Sequence, residues 1–152
     1  MLNMKEFFHL LKKFDLKGLF LSPTKNGFLQ FFRYLFVGGI ATVVDWGVLL
    51  ALTELGGIHE MISAAFGFVA GLGTNYLLSK LLVFRANEAN AKGLLEFLGY
   101  ALIGLMGLGI TELLLLLGRS FPQLHYMIFK AIATGVVLAW NYLARRFLLY
   151  KN

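Results

Sequence analysis

The sequence has 152 residues, of which 59% are hydrophobic and 14% are charged, and its formal net charge is +6. A soluble domain is about 45–50% apolar and about 25% charged, so this composition excludes an ordinary soluble protein and indicates a membrane protein. The cations cluster at the ends of apolar segments, which favours anionic lipids over nucleic acid as partners. The absence of cysteine excludes disulfides and cysteine metal sites.

Residues 3–21 form an amphipathic segment. Their apolar residues recur at helical spacing on one face and their lysines lie on the other, which predicts an interfacial helix in the headgroup plane. A soluble arm that packs on a partner is the alternative. Charged residues interrupt the apolar ones, so no signal peptide is expected. Residues 22–27 are predicted to be a linker. The predicted domains are therefore residues 1–27, which contain the interfacial helix and the linker, and residues 28–152, which form a membrane domain.

Four long apolar segments follow, at about 31–55, 61–84, 94–118 and 124–149. Each exceeds the ~20 residues that a helix needs to cross a bilayer core. Spanning backbone must satisfy its own hydrogen bonds, so the segments are predicted to be helices, and their short connections make neighbours antiparallel hairpins. The predicted fold class is an all-α integral membrane protein with four transmembrane helices and an N-terminal interfacial helix.

The lysines and arginines are distributed on one side of these helices. Twelve of the fourteen lie in the N-terminal region, the middle loop or the C-terminal end. The positive-inside rule therefore predicts a multi-pass membrane protein with both termini in the cytoplasm.

The chain contains an internal repeat. "NYLLSKLLVF" at 75–84 and "NYLARRFLLY" at 141–150 are 66 residues apart, and the same shift aligns Tyr34 with Tyr100 and His59 with His125. The repeats cover about 31–85 and 97–151. Two like hairpins are predicted to be parallel repeats about an axis along the membrane normal, where a shared site is expected. A duplicated hairpin that serves folding alone is the alternative.

Several polar residues fall inside the predicted spans. An ionised Asp45 there costs about 2.5–3.5 kcal/mol, so it is interpreted as a site for a polar headgroup or a proton, or else as a buried hydrogen bond to Asn75 or a neighbouring helix. Asn75 and Asn141 either hold helices together or donate to a sugar or phosphate. Glu112 and Lys130 lie at similar depth and predict a structural ion pair.

The cytoplasmic cations Lys80, Arg85, Arg145 and Arg146 have two interpretations. They either extend to the interface and set the topology, or they capture a lipid phosphate, for which arginine is a planar bidentate donor. The sequence carries no HExxH, GxSxG or P-loop motif, so no enzyme, cofactor or metal site is expected, although His59 and His125 occupy equivalent outer loops.

Three stretches, "FFRYLFVGGIATVVDW" (31–46), "NYLLSKLLVFR" (75–85) and "NYLARRFLLYK" (141–151), resemble the GtrA-like family of small bacterial membrane proteins with four transmembrane helices. The resemblance covers about residues 30–151. It implies a role in cell-surface polysaccharide synthesis, either by flipping polyprenyl-phosphate-linked sugars across the cytoplasmic membrane or by assisting a glycosyltransferase. Lys80 stands where the family more often has arginine.

The predicted function is translocation of a polyprenyl-phosphate-linked sugar. The predicted phosphate-binding residues are Arg33, Lys80, Arg85, Arg145 and Arg146, and the predicted headgroup path is Asp45, Asn75 and Asn141. One alternative is an adaptor that recruits a membrane glycosyltransferase. Another is a small proton-coupled exporter, whose dual-topology form the one-sided charge bias argues against. A homo-oligomer is expected if a second copy is needed to enclose the path, and the second repeat is expected to dominate phosphate binding.

Overall fold

The structure is a computed structural model that describes residues 4–89 and 92–151. Its α-helices are α1 (Met4–Lys12), α2 (Leu16–Phe20), α3 (Gly27–Leu50), α4 (Glu60–Leu78), α5 (Leu94–Gly118) and α6 (Tyr126–Ala144). Short π-helical segments, Ala51–Leu55, Ser79–Val83 and Arg145–Leu149, extend α3, α4 and α6. Strands β1 (Glu88–Ala89) and β2 (Tyr150–Lys151) form a two-residue antiparallel pair. The chain divides after Asn87 into two compact units, with the hairpin α3–α4 in the first and α5–α6 in the second.

Three helical stretches in the described part of the chain are long and apolar enough to cross a membrane: Gly27–Leu55, Glu60–Val83 and Leu94–Gly118. They confirm three of the four predicted spans and make the chain a multi-pass membrane protein. The first begins at Gly27 rather than residue 31, because Asn26 caps it by accepting a hydrogen bond from the Phe28 backbone N–H at 3.1 Å. The fourth helix, α6, forms within the fourth predicted span, 124–149.

The sequence repeat is also a structural repeat. Helices α4 and α6 are offset by 66 residues at both ends, and so are the π-helical segments Ser79–Val83 and Arg145–Leu149. Equivalent positions are buried in both hairpins, including the pairs Tyr34 and Tyr100 and Phe84 and Tyr150. A π-helix is rare, so its recurrence at the same register is a specific sign that the two hairpins are copies of one unit.

The prediction of one continuous amphipathic helix over 3–21 is wrong within the described residues. The chain forms α1 and α2, separated by a turn in which Phe14 adopts a φ of 51°. Asp15 begins the second helix, because its Oδ1 accepts a hydrogen bond from the Gly18 backbone N–H at 2.8 Å. Helix α2 therefore starts afresh with its own cap.

The N-terminal helices pack against the start of α3. Phe7 is buried, and its ring centroid lies 5.1 Å from that of Phe28 and 4.9 Å from that of Phe32. The Asn26 side chain donates to Glu6 Oε2 at 2.8 Å, which joins α1 to the cap of α3. Three large apolar residues of α1 and its end, Met4, Phe8 and Leu11, remain exposed. One face of α1 thus serves the fold, and the other stays available for the predicted membrane interface.

Candidate functional site

Asp45 lies midway along the first span, against glycines of α4. A Cβ added at Gly67 would lie 2.6 Å from both the backbone oxygen and Oδ1 of Asp45, and one at Gly71 would lie 2.9 Å from the Asp45 Cβ. Small residues of α4 therefore allow this helix to approach Asp45 closely.

The Asp45 carboxylate is half-buried and forms no hydrogen bond or ion pair in the described part of the chain. The alternative of a hydrogen bond to Asn75 is therefore wrong: the Asn75 Oδ1 accepts instead from Ser79 Oγ at 3.1 Å. Asn75 is thus linked to the start of its own π-helical segment. Asp45 keeps its acceptor oxygens for another group.

A Gly67→Ala substitution is expected to destabilise the first hairpin. The added methyl group meets Asp45, so α3 and α4 must separate, and overpacking of this kind costs about 1–3 kcal/mol. Gly39→Ala is the matched control, because nothing lies within 4 Å of a Cβ there, and alanine favours a helix by about 0.5–1 kcal/mol. Unfolding in mixed micelles measures both. Equal unfolding midpoints for Gly67→Ala and Gly39→Ala would contradict the close contact between Gly67 and Asp45.

Arg33, one of the predicted phosphate-binding residues, is held by backbone carbonyls in this structure. It is 1% exposed, and its guanidinium donates from Nε to Leu19 O at 2.6 Å, from Nη1 to Leu82 O at 2.9 Å and from Nη2 to Gly18 O at 2.8 Å. These carbonyls belong to α2 and to the π-helical end of α4. Arg33 therefore joins the N-terminal helices to the hairpin through three of its five N–H donors.

The other cations of the first hairpin are exposed. The Lys80 ammonium lies 5.7 Å from the centroid of the Tyr76 ring, and Arg85 Nη1 donates to Leu21 O at 3.2 Å. Both side chains lie where the predicted cytoplasmic headgroup region begins. They are accessible to an anion, unlike Arg33.

In the second hairpin the two arginines at the end of α6 are buried, in contrast to the exposed Lys80 and Arg85 of the first. Arg145 is 2% exposed, donates from Nη1 to the Tyr100 hydroxyl at 2.9 Å and lies 3.5 Å from the centroid of that ring. Arg146 is 7% exposed and donates to the Tyr142 hydroxyl at 2.8 Å. Extension into the headgroup layer, one of the two sequence interpretations, does not describe these two side chains.

A buried acid accompanies these arginines. Glu96 is fully buried in the first turn of α5 and accepts a hydrogen bond from the Tyr150 hydroxyl at 2.9 Å. Sequence reasoning missed Glu96, although the 66-residue shift pairs it with Gln30, which is also fully buried. Gln30 donates to Thr24 O at 2.7 Å and to Asn87 Oδ1 at 2.6 Å.

Asn141 lies near the buried arginines of the second hairpin, further along α6 from its C-terminal end. Its Oδ1 lies 2.8 Å from the position of a Cβ at Gly107, and Arg145 Nη2 lies 3.4 Å from one at Gly104. The Oδ1 of Asn141 is buried and has no hydrogen-bond partner in the described residues. The polar residues of α5 and of α6 with its π-helical end form what we call the arginine cluster: Glu96, Tyr100, Asn141, Tyr142, Arg145 and Arg146.

The predicted ion pair between Glu112 and Lys130 does not form. Both side chains are exposed, and neither takes part in an ion pair in the described part of the chain. Similar depth on adjacent helices was the basis of the prediction, but depth does not fix the direction in which a side chain points.

The outer-loop histidine of the first hairpin has a structural role. His59 Nδ1 accepts a hydrogen bond from the Met61 backbone N–H at 3.3 Å and so caps α4. The residues that the structure describes include no group of three or more potential metal ligands.

Comparison with known proteins identifies the family. No solved structure matches the chain. Residues 33–150 match the family described as GtrA/DPMS, transmembrane domain. The match begins at Arg33 and ends at Tyr150, so it covers Asp45, both asparagines and the arginine cluster, while α1 and α2 lie outside it. This match confirms the resemblance seen in the sequence, and the chain belongs to the GtrA/DPMS transmembrane-domain family.

Proposed function

We propose that the chain translocates a polyprenyl-phosphate-linked sugar across the cytoplasmic membrane, for glycosylation of a surface polysaccharide or teichoic acid. The observation that carries this proposal is the burial of Arg145 and Arg146 at the end of α6. Buried charges are costly, and those inside membrane proteins usually serve a substrate pathway. A planar guanidinium binds phosphate bidentately, and the family is associated with polyprenyl-linked sugars and glycosylation.

The arginine cluster is closed in this conformation, so substrate has to open it. The exposed Lys80 and Arg85 attract the phosphate first. Arg145 and Arg146 then exchange their tyrosine hydroxyls for phosphate oxygens. Since both tyrosines stay on their helices, they hold the guanidiniums again after release. The second repeat therefore dominates phosphate binding in this proposal.

Deeper polar groups guide the sugar. The Asp45 carboxylate and the Asn141 carbonyl oxygen have no hydrogen-bond partner in the described residues, so both can accept from sugar hydroxyls, and Asn75 adds a second amide. The polyprenyl tail stays in lipid. Translocation needs no covalent chemistry and no cofactor. Both termini lie in the cytoplasm, and anionic lipids surround the peripheral cations. A second copy of the chain encloses the path.

The test uses purified protein in liposomes with a polyprenyl-phosphate sugar, whose headgroup accessibility from outside is followed over time. Asp45→Asn keeps the shape but loses the charge, so the translocation rate is expected to fall at least about tenfold, or ~1.4 kcal/mol in barrier. Glu112→Gln is the control, because it removes an exposed carboxylate from another span. Absence of translocation by the unmodified protein, or an unchanged rate in Asp45→Asn, contradicts the proposal.

A second candidate function is an adaptor that docks a membrane glycosyltransferase. The observation that favours it is the exposed face of α1, which lies outside the family domain and borders a groove of about 420 Å³. Deleting residues 1–22 also removes the carbonyls that Arg33 binds, so serine at Met4, Phe8 and Leu11 is the cleaner change. Loss of glycosyltransferase copurification with translocation intact would favour the adaptor.

A further inference from the structure

An apolar cavity of about 380 Å³ lies at the far end of the second hairpin from the arginine cluster. It is lined by Leu115 and Gly118 of α5, by Phe129 of α6, and by Arg119, Phe121, Pro122 and Leu124 of the loop between them. Small-molecule pockets in proteins measure about 300–1,000 Å³, so the cavity is large enough for a ligand segment.

The cavity is built by close packing and a hydrogen-bonded loop. A Cβ at Gly118 would lie 2.6 Å from Phe129 Cγ, so the missing side chain lets this ring rest on the backbone of α5. The Phe121 ring stacks beside it, with ring centroids 6.0 Å apart. The Phe121 backbone N–H donates to Gly118 O and the Leu124 N–H donates to Phe121 O, which fixes the loop.

One charged side chain lines the cavity. Arg119 is exposed, and its guanidinium forms no hydrogen bond or ion pair among the residues that the structure describes. It is also the single lysine or arginine in the predicted outer loops, residues 56–60 and 119–123. An apolar cavity bordered by an uncompensated guanidinium is complementary to a ligand that joins an apolar chain to an anion.

The first hairpin has different residues at the equivalent positions, although it is a copy of the second. The 66-residue shift places Leu52, Thr53 and Ser63 where the second hairpin has Gly118, Arg119 and Phe129. Ser63 is fully buried, and its hydroxyl donates to Ile58 O at 3.3 Å. Closure of a hairpin therefore does not require a cation at this position, and the role of Arg119 calls for another explanation.

We propose that this cavity is an outer-leaflet site for a lipid phosphate, in which Arg119 binds the phosphate and the aromatic cavity holds the first part of the apolar chain. The identity of the lipid rests on the proposed function, in which the same polyprenyl phosphate leaves the arginine cluster and is received here. The site explains why the second copy alone has a cation at each end. Arg119 then holds the anion at the surface while its sugar faces outside.

The test is photolabelling of the purified full-length protein with farnesyl phosphate that carries a benzophenone. We expect crosslinks within residues 115–129, displaced at least about tenfold more effectively by farnesyl phosphate than by farnesol, since the guanidinium binds the anion. Arg119→Gln is expected to weaken displacement by farnesyl phosphate about tenfold and to leave displacement by farnesol unchanged. Lys130→Gln is the matched control, because it removes an exposed cation at the same end outside the cavity.

Crosslinks elsewhere, or equal displacement curves for Arg119→Gln and the unmodified protein at matched thermal stability, overturn the site. Equal displacement by inorganic phosphate overturns its assignment to a lipid. The liposome assay separates this inference from the proposed function. Labelling that depends on Arg119 in a protein that does not translocate supports the site and contradicts the transport, whereas translocation without such labelling contradicts only the site.

Discussion

Replacing Arg33 with glutamine is expected to release the N-terminal helices from the first hairpin. The guanidinium is buried and donates to three backbone carbonyls, those of Gly18, Leu19 and Leu82. A hydrogen bond to a charged group contributes about 1.5–3 kcal/mol, and a glutamine amide cannot reach all three acceptors. The free energy of unfolding is therefore expected to fall by on the order of 3 kcal/mol.

Thermal unfolding in detergent measures this loss, and limited trypsin digestion at Lys17 and Lys25 shows whether the N-terminal helices detach. Arg85→Gln is the matched control, because Arg85 is exposed and donates one hydrogen bond of 3.2 Å, to Leu21 O. Its effect is expected to stay below about 1 kcal/mol. Arg33→Lys is expected to resemble the glutamine variant, since an ammonium lacks the guanidinium fork. Equal losses in Arg33→Gln and Arg85→Gln would contradict the joining role.

Replacing Arg145 is expected to have the largest effect on translocation. Its guanidinium stacks on Tyr100 and also bonds to the hydroxyl of that residue, a geometry that lysine cannot reproduce. In Arg145→Lys we expect translocation of the polyprenyl-phosphate sugar in liposomes to fall at least about a hundredfold, or ~2.7 kcal/mol. The retained charge limits the structural damage, so thermal unfolding is expected to change less than in Arg145→Ala.

The internal repeat offers a control for this result. Lys80 is exposed in the first hairpin, at the position equivalent to Arg146. Lys80→Gln is expected to lower the rate only a few-fold, and high salt is expected to reduce the difference, because exposed charges are screened. A larger loss in Lys80→Gln than in Arg145→Lys would show that the first hairpin carries the phosphate.

The helices and the repeat could be predicted because long apolar runs and a fixed 66-residue shift are properties of the sequence itself. The role of Arg33 could not, since its acceptors are backbone carbonyls of distant segments that only the fold brings together. Glu96 looked like an ordinary acid in the first turn of a helix, and its burial became visible only in the structure. The break before Asp15 had a readable signal, an acidic cap three residues ahead of Gly18, which the strong helical periodicity obscured.

The π-helical segments bear on the history of the chain. A turn of π-helix contains one more residue than a turn of α-helix. Insertion of one residue into an α-helix therefore produces a π-helical segment, and it rotates the following residues by about 100° about the helix axis. The segments Ser79–Val83 and Arg145–Leu149 share one register, which indicates that the insertion preceded the duplication of an ancestral hairpin. The segment Ala51–Leu55 has no counterpart in α5, so it distinguishes the two copies. A protein of a single hairpin is the ancestor that this order of events implies.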